Sequence, residues 1–327
     1  MHKRTFLARI LAAVSGSVIA LTASTASAQE WPAKPIRIIV SFAPGGLTDT
    51  IARALQARLQ EGFGQPVVIE NRPGAGGTIA EGLLAKAPAD GYTILLSADS
   101  VPANPHLMQN LSYDTFKDLV PVSLLARIPL VMLVNSTVPA ATVREFVSYA
   151  KTGGVKASYG SPGTGTSNHL YFEVFKDLTS IELPHIAYKG GGPAMTDLMG
   201  GHIQALLISS TLAVPQVIGG KVKALAVTSD KRLAQLPNVP TFAEAGFSDF
   251  KPQQWTGLFV PAGTPPAIVA RIHGEFAKAL KAPDVVTRLS DLNAEPVMST
   301  QADFASHLRR ENQTLGQLIK ARGITAQ

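Results

Sequence analysis

The chain has 327 residues, with 29 Lys and Arg against 23 Asp and Glu, a formal charge of +6, and no cysteine. Absence of cysteine excludes a disulfide framework and a thiol nucleophile, and a chain this long buries enough core to do without bridges. Basic residues are scattered rather than massed and lack interleaved aromatics, so no nucleic-acid footprint is present.

The first element in chain order is a leader. Lys3, Arg4 and Arg9 precede the apolar stretch Ile10 to Leu21, and Ala26-Ser27-Ala28 supplies small residues at a cleavage site. This pattern predicts a signal peptide over residues 1–28, cut before Gln29, and export to the periplasm. The general secretory route is the default, although Lys3-Arg4-Thr5-Phe6-Leu7 faintly resembles a twin-arginine signal. Loss of three basic residues leaves 26 against 23, about +3. A membrane anchor is the weaker reading, because a bilayer span needs about 20 apolar residues and no segment approaches that. No cysteine follows the leader for lipid attachment, so the mature protein is expected to be soluble and freely diffusing.

Next comes a strand over Ile36 to Phe42, a glycine-rich break, and an amphipathic helix over Thr50 to Leu59. Val67 to Glu70 is a second strand, Asn71 to Gly77 a loop, Ile79 to Ala87 a helix, and Tyr92 to Leu96 a third strand. A second set starts at strand Leu130 to Val134. It continues with helix Val143 to Ala150, strand Ala157 to Gly160, helix Asn168 to Leu178, strand His185 to Tyr188, helix Pro193 to Met199 and strand Ile203 to Ser209. The stretch Leu233 to Gly246 is proline-punctuated and irregular, and Trp255 to Val260 resumes a strand. Repeated strand and helix units predict α/β architecture. The length suits two lobes, with crossings near Val120 to Arg127 and Lys251 to Leu258.

Four glycine-rich loops recur between a strand and a helix start: Pro44-Gly45-Gly46-Leu47-Thr48, Pro73-Gly74-Ala75-Gly76-Gly77-Thr78, Pro162-Gly163-Thr164-Gly165-Thr166-Ser167 and Lys189-Gly190-Gly191-Gly192-Pro193. The first turn of a helix leaves amides unpaired and carries partial positive charge, so it accepts an anion without a basic side chain. Each loop alone could serve as a plain turn and cap. Together they predict an anion pincer, two loops per lobe, without distinguishing carboxylate from phosphate.

The segments Phe42-Ala43-Pro44-Gly45-Gly46-Leu47-Thr48-Asp49, Glu70-Asn71-Arg72-Pro73-Gly74-Ala75-Gly76-Gly77, Ala89-Asp90-Gly91-Tyr92-Thr93 and Tyr188-Lys189-Gly190-Gly191 resemble the tripartite tricarboxylate transporter receptor family, also called Bug proteins. Further blocks in the same order, from Tyr113-Asp114 to Pro261-Ala262-Gly263-Thr264-Pro265, extend the resemblance over nearly the whole mature chain. The resemblance implies a two-lobed periplasmic binding protein of type II, a Venus flytrap whose lobes are mixed sheets flanked by helices. Lobe 1 would comprise residues 29–125 and 254–327, and lobe 2 residues 126–253. It also implies a monomer that hands a small carboxylate to a membrane permease, with no catalytic residues, metal, nucleotide or other cofactor.

Carried over residue by residue, the resemblance places Pro44, Gly45, Gly46, Leu47 and Thr48 on the proximal carboxylate. Pro73, Gly74, Ala75, Gly76 and Gly77 join them there. Ser97, Ala98, Thr164, Thr166, His169 and Tyr188 are expected near the rest of the ligand. In many family members the strand after Gly200-Gly201-His202 ends in an Asp facing the cleft, and here the matching position is Ile208. Isoleucine does not suit a ligand amine, so a dicarboxylate or an aromatic carboxylate is expected.

Some residues carry two readings. Asp49 is expected to fix its loop rather than touch ligand. Arg72, Lys189 and His169 divide between ligand contact and an ordinary surface or packing role, and Trp255 favours the core over stacking on a ligand. Enzyme signatures are missing: Gly160-Ser161-Pro162-Gly163 fails the G-x-S-x-G elbow, and Gly219-Gly220-Lys221 is followed by Val222, not the Ser or Thr of a phosphate loop. A dispersed triad would begin from Ser161 or Ser167 with His169. A periplasmic hydrolase and a receptor presenting to a sensor kinase are the alternatives to transport.

Overall fold

The computed structural model describes residues 31–152 and 157–325. The predicted leader and its cleavage site lie outside the described residues.

From Lys34 onward the chain forms one compact unit. Strand β1 (Ile36–Val40) leads to helix α1 (Leu47–Phe63), whose Ile51, Leu55, Leu59 and Phe63 recur at helical spacing and are buried. Gly64, in the left-handed region, ends it and returns its amide to the Gln60 carbonyl. Strand β2 (Val67–Asn71), a 3-10 turn (Ala75–Gly77), α2 (Thr78–Ala85) and β3 (Thr93–Ala98) follow, then the single turn α3 (Asn104–Leu107). Strand β1 lies parallel to both β2 and β3.

Strand β4 (Leu119–Asn135) is the organising element. Up to Pro129 it runs antiparallel to β9 (Gln253–Pro261), which also closes on β3. From Leu130 the same strand pairs with β7 (Ala205–Ser209), and from Val131 with β8 (Val222–Val227). The second sheet continues through β5 (Tyr159–Ser161) to β6 (His185–Ala187), in parallel. One strand thus serves two sheets, and the partner exchange falls between Pro129 and Leu130. Helices α4 (Val143–Lys151), α5 (Ser167–Thr179), α6 (Gly191–Gly200) and α7 (Ser210–Ile218) flank the second sheet.

After β9 come α8 (Pro266–Leu280), α9 (Pro283–Asp291), the short β10 (Glu295–Pro296) on β4, and α10 (Gln301–Arg322). The 22 residues of α10 span about 33 Å. Its first half supplies Phe304 and Leu308 to a core with Ile39, Leu95, Trp255 and Phe259. Its second half supplies Leu315, Leu318 and Ile319 to a core with Tyr159, Phe172, Phe175 and Phe242. Helix α10 thus contributes to both cores.

Sequence periodicity located the strand-loop-helix units to within a few residues. It shortened β4 to Leu130 to Val134, where the strand runs from Leu119 to Asn135. Pro121 sits where the register with β9 shifts, and Pro129 at the last pairing before the partner change, positions where a missing N–H is tolerated. It also passed over β8 and over α7 to α10.

Candidate functional site

The four glycine-rich loops converge. A cleft of about 450 Å³ is lined by Gly46, Leu47 and Thr48 from the first loop and by Ala75 and Gly76 from the second. Thr164 and Thr166 of the third loop and Gly191 of the fourth complete the set. The volume falls within the range of small-molecule sites.

The starts of α1, α5 and α6 line it through Leu47, Ser167 and Gly191, whereas Thr78 and Ile79 at the start of α2 line a separate recess. Helices α1, α2 and α6 are preceded by Gly46, Gly77 and Gly190, none of which contributes a side-chain cap. The first-turn amides of α1 and α6 therefore meet no side-chain cap from the preceding residue, whereas the Thr78 amide that opens α2 donates to the Ala75 carbonyl. Helix α5 differs, because the Thr166 hydroxyl accepts from the His169 amide. Gly76 adopts φ +64, which a β-carbon strains against, and a β-carbon there would stand 3.3 Å from Asn104 Oδ1.

The first three loops are pinned from behind. Asp49, buried under the first loop, accepts from the Gly45 amide at 2.8 Å, from Asn71 Nδ2 at 2.9 Å and from Arg53 at 3.0 Å. Burial works against its charge, but those hydrogen bonds outweigh it and hold the carboxyl below the usual carboxylate range. Asp49 is thus a loop-fixing group. The second loop rests on Ser100 Oγ and Asn104 Nδ2, which donate to the Gly76 carbonyl. Asn104 also donates to Glu81, a buried carboxylate that accepts from Tyr113 and Ser97 as well. Burial dominates there and raises the Glu81 carboxyl above its ordinary value.

In the third loop Ser161 Oγ and Thr166 Oγ1 donate to the Gly163 carbonyl, and His169 Nδ1 accepts from the Gly165 amide at 3.0 Å. Burial, with help from the stacked His185 ring 3.8 Å away, pushes His169 down to about 4, so the ring is neutral.

Several residues expected at the ligand lie elsewhere. Pro44 and Gly45 line a separate recess with Asp49, Arg53 and Arg288, on the other side of the first loop. Pro73 and Gly74 are exposed and outside the cleft lining, as Lys189 is. Gly77 and Ser97 are buried behind the second loop against Glu81 and Ser41. His169 is committed to Gly165, and Tyr188 donates to Asp197 at 2.7 Å. Arg72 is taken up by Glu70. Of the remaining expectations, Ala98 and Ile208 line the cleft.

The structure adds residues that glycine patterns did not signal. Phe42, Leu107, Met108 and Leu212 give the lining a largely apolar character, and Asp99 and Gln254 give it polar points. Trp255 is both core and cleft floor: it lies edge-on to Phe304, its indole N–H donates to Glu311 at 2.9 Å, and it also lines the cleft. The serine and histidine of a dispersed triad do not assemble as expected. Ser161 Oγ meets His185 Nε2 at 2.7 Å rather than His169. The nearby carboxylate Glu173 is occupied by Tyr159 and Lys176. Among the described residues no His, Asp and Glu grouping suits a metal ion, and no helix is long and apolar enough to cross a membrane.

Residues 51–324 match the model of the tripartite tricarboxylate transporter family receptor. The chain belongs to that family. Solved structures agree over nearly the whole length. Periplasmic binding protein BugD is 32% identical with a TM-score of 0.75, covering 91% of this chain and 100% of its own. Rpa4515 of R. palustris, solved with adipate, is 33% identical with a TM-score of 0.77, covering 91% of this chain and 100% of its own. MatC of Rhodopseudomonas palustris, with bound malate, is 33% identical with a TM-score of 0.74, covering 88% and 100%. The fold is accordingly the two-lobed α/β fold of these receptors. Proteins of this family are periplasmic solute-binding receptors rather than enzymes.

Proposed function

We propose that this receptor captures a small carboxylate in the cleft and delivers it to a membrane permease of the tripartite tricarboxylate type. The observation that carries the reading is that the glycine-preceded starts of α1 and α6 and the glycine turn at Ala75 and Gly76 meet on one cleft with no basic side chain in its lining. An anion in such a place is held by backbone amides and helix dipoles. Adipate and malate in the related receptors support a carboxylate over a phosphate.

A ligand without an amine fits best. The end of β7 presents Ile208 and Ser209 to the cleft, and an apolar side chain gives an ammonium no partner. A dicarboxylate or an aromatic carboxylate is therefore the preferred class, with Trp255 and Phe42 available to an aromatic ring. Capture would proceed by hinge closure about the crossings of β4 and of the segment entering β9, sealing the ligand from water. The receptor would work in the periplasm as a monomer after removal of its leader before Gln29. Calorimetric titration with adipate, malate and benzoate tests this, with binding of at least one expected. Tight binding of amino acids with organic acids ignored would sink it.

A further inference from the structure

The cleft lining contains a single ionisable side chain among the described residues, and it is an acid. Asp99, at the end of β3, lines the cleft but is only 6% exposed. One of its carboxyl oxygens, Oδ2, is buried with no hydrogen-bond partner. The carboxyl is held otherwise by the Ser167 hydroxyl at the start of α5 and by its own backbone amide.

No cation balances it. The ionisable groups packed behind are Tyr171 on α5 and Glu311 on α10. Tyr171 donates to Glu311 Oε1 at 3.0 Å, and Trp255 on β9 donates to Oε2. His307 Nε2 lies 3.4 Å from Glu311 Oε2, with its ring pushed down to about 4 by burial and so neutral, and Arg310 on α10 and Arg127 on β4 stand near it. The Asp99 charge adds to the burial that raises Glu311, so two carboxyls share one poorly solvated region. Ionising both there is unfavourable. Glu311 is raised to about 8 and so is neutral near pH 7, and a carboxylate admitted to the cleft meets the Asp99 charge.

We propose that the receptor takes up its carboxylate together with one proton, and that Asp99 carries that proton. A neutral Asp99 relieves the repulsion. Its hydroxyl is a donor for the anion, and without its charge it gives an ammonium no ion pair, in keeping with Ile208. Burial, only partly offset by the Ser167 hydrogen bond, pushes the Asp99 carboxyl up to about 7, so the free receptor is poised to accept the proton near neutrality. The sign of the linkage follows. Binding that requires the protonated form is insensitive to pH well below 7 and weakens toward tenfold per pH unit above it.

This rests on the carboxylate reading, and the test separates the two. Carbon-13 NMR of aspartate-labelled free receptor, with Asp99→Asn assigning the resonance, should show Asp99 titrating near 7. A midpoint below about 5, the ordinary carboxylate range, overturns the proposal. Calorimetry with adipate and malate in buffers of different ionisation heat should then show about one proton taken up above pH 7 and the tenfold slope. Asp99→Asn should bind without uptake and without the slope, whereas Glu311→Gln should keep both. Binding with no uptake, or uptake lost only in Glu311→Gln, overturns the assignment. If neither compound binds, benzoate takes their place, and if none of the three binds at any pH the carboxylate reading fails and the free-receptor titration alone decides about the proton.

Discussion

The two walls of the cleft present similar glycine-rich loops but hold them by different chemistry. On the first lobe the loops lean on carboxylates: Asp49 gathers Gly45, Asn71 and Arg53, and Glu81 gathers Ser97, Asn104 and Tyr113. On the second lobe the third loop leans on hydroxyls and a neutral imidazole, Ser161, Thr166 and His169. A loop whose free amides face an anion can be held from behind through its carbonyls or through its other amides. The choice of anchor decides how the wall responds to pH, and the walls should respond differently.

The largest effect should come from blocking an amide surface. Gly76→Val places a β-carbon in the left-handed region and against Asn104, so a loss of ligand affinity of about 100-fold or more is expected, with about 1–3 kcal/mol of stability. Gly191→Val on the opposite wall carries no such strain, but its β-carbon would lie 2.7 Å from Leu212 Cδ1. It should lose affinity with less loss of stability. Calorimetry and urea midpoints check both, and equal stability losses would erase the contrast.

Removing an anchor comes next. Asp49→Ala strips three donors of their acceptor and should cost about 2 kcal/mol and roughly tenfold in affinity. The pH signs then divide the anchors. Asp49 is held below its ordinary value, so its contribution is present above about pH 4 and is lost as pH falls through its folded value. Glu81 is raised, so stability is greatest in acid and declines as pH rises above the ordinary carboxylate value. His169, lowered to about 4, should cost stability as pH falls from about 6.5 through 4, as the ring gains a proton and loses the Gly165 amide. Urea midpoints between about pH 3.5 and 8 for Asp49→Asn, Glu81→Gln and His169→Gln should each remove one of these slopes.

Smaller effects follow. Thr166→Ala removes the α5 cap and should cost about 1 kcal/mol. Tyr188→Phe loses one hydrogen bond to Asp197 and should cost about 0.5–1 kcal/mol, with little change in affinity, since Tyr188 lies outside the cleft lining.

What the sequence disclosed follows from how local each signal is. The strand-loop-helix units around Gly46, Gly76 and Gly165 were legible because apolar period and glycine sit side by side in the chain. Asp49 as a loop anchor could also be reasoned from its place in the first helical turn. Ser97 lies outside the cleft lining because it stands one residue from Ala98 on a strand that alternates sides, so only one of the two reaches the cleft. Asp99 and Gln254 carry no glycine or period to flag them; topology brings them in by setting β9 beside β3. Glu311 is more distant still, joining Tyr171 and Trp255 across 140 and 56 residues. The spacing of Phe304, Leu308, Leu315 and Ile319 could have revealed α10. That it binds both lobes is a tertiary fact.

The central claim is that backbone amides at helix starts, and no basic side chain, hold a carboxylate. The most direct measurement is a thermal-shift screen of organic acids, each paired with its own amide, because a ligand that binds only the folded state raises Tm. The account predicts that at least one acid raises Tm while its amide does not, and that Gly46→Val, whose β-carbon would lie 3.1 Å from the Ala43 carbonyl, abolishes the shift. Equal shifts from acid and amide, or an undiminished shift in Gly46→Val, would contradict it.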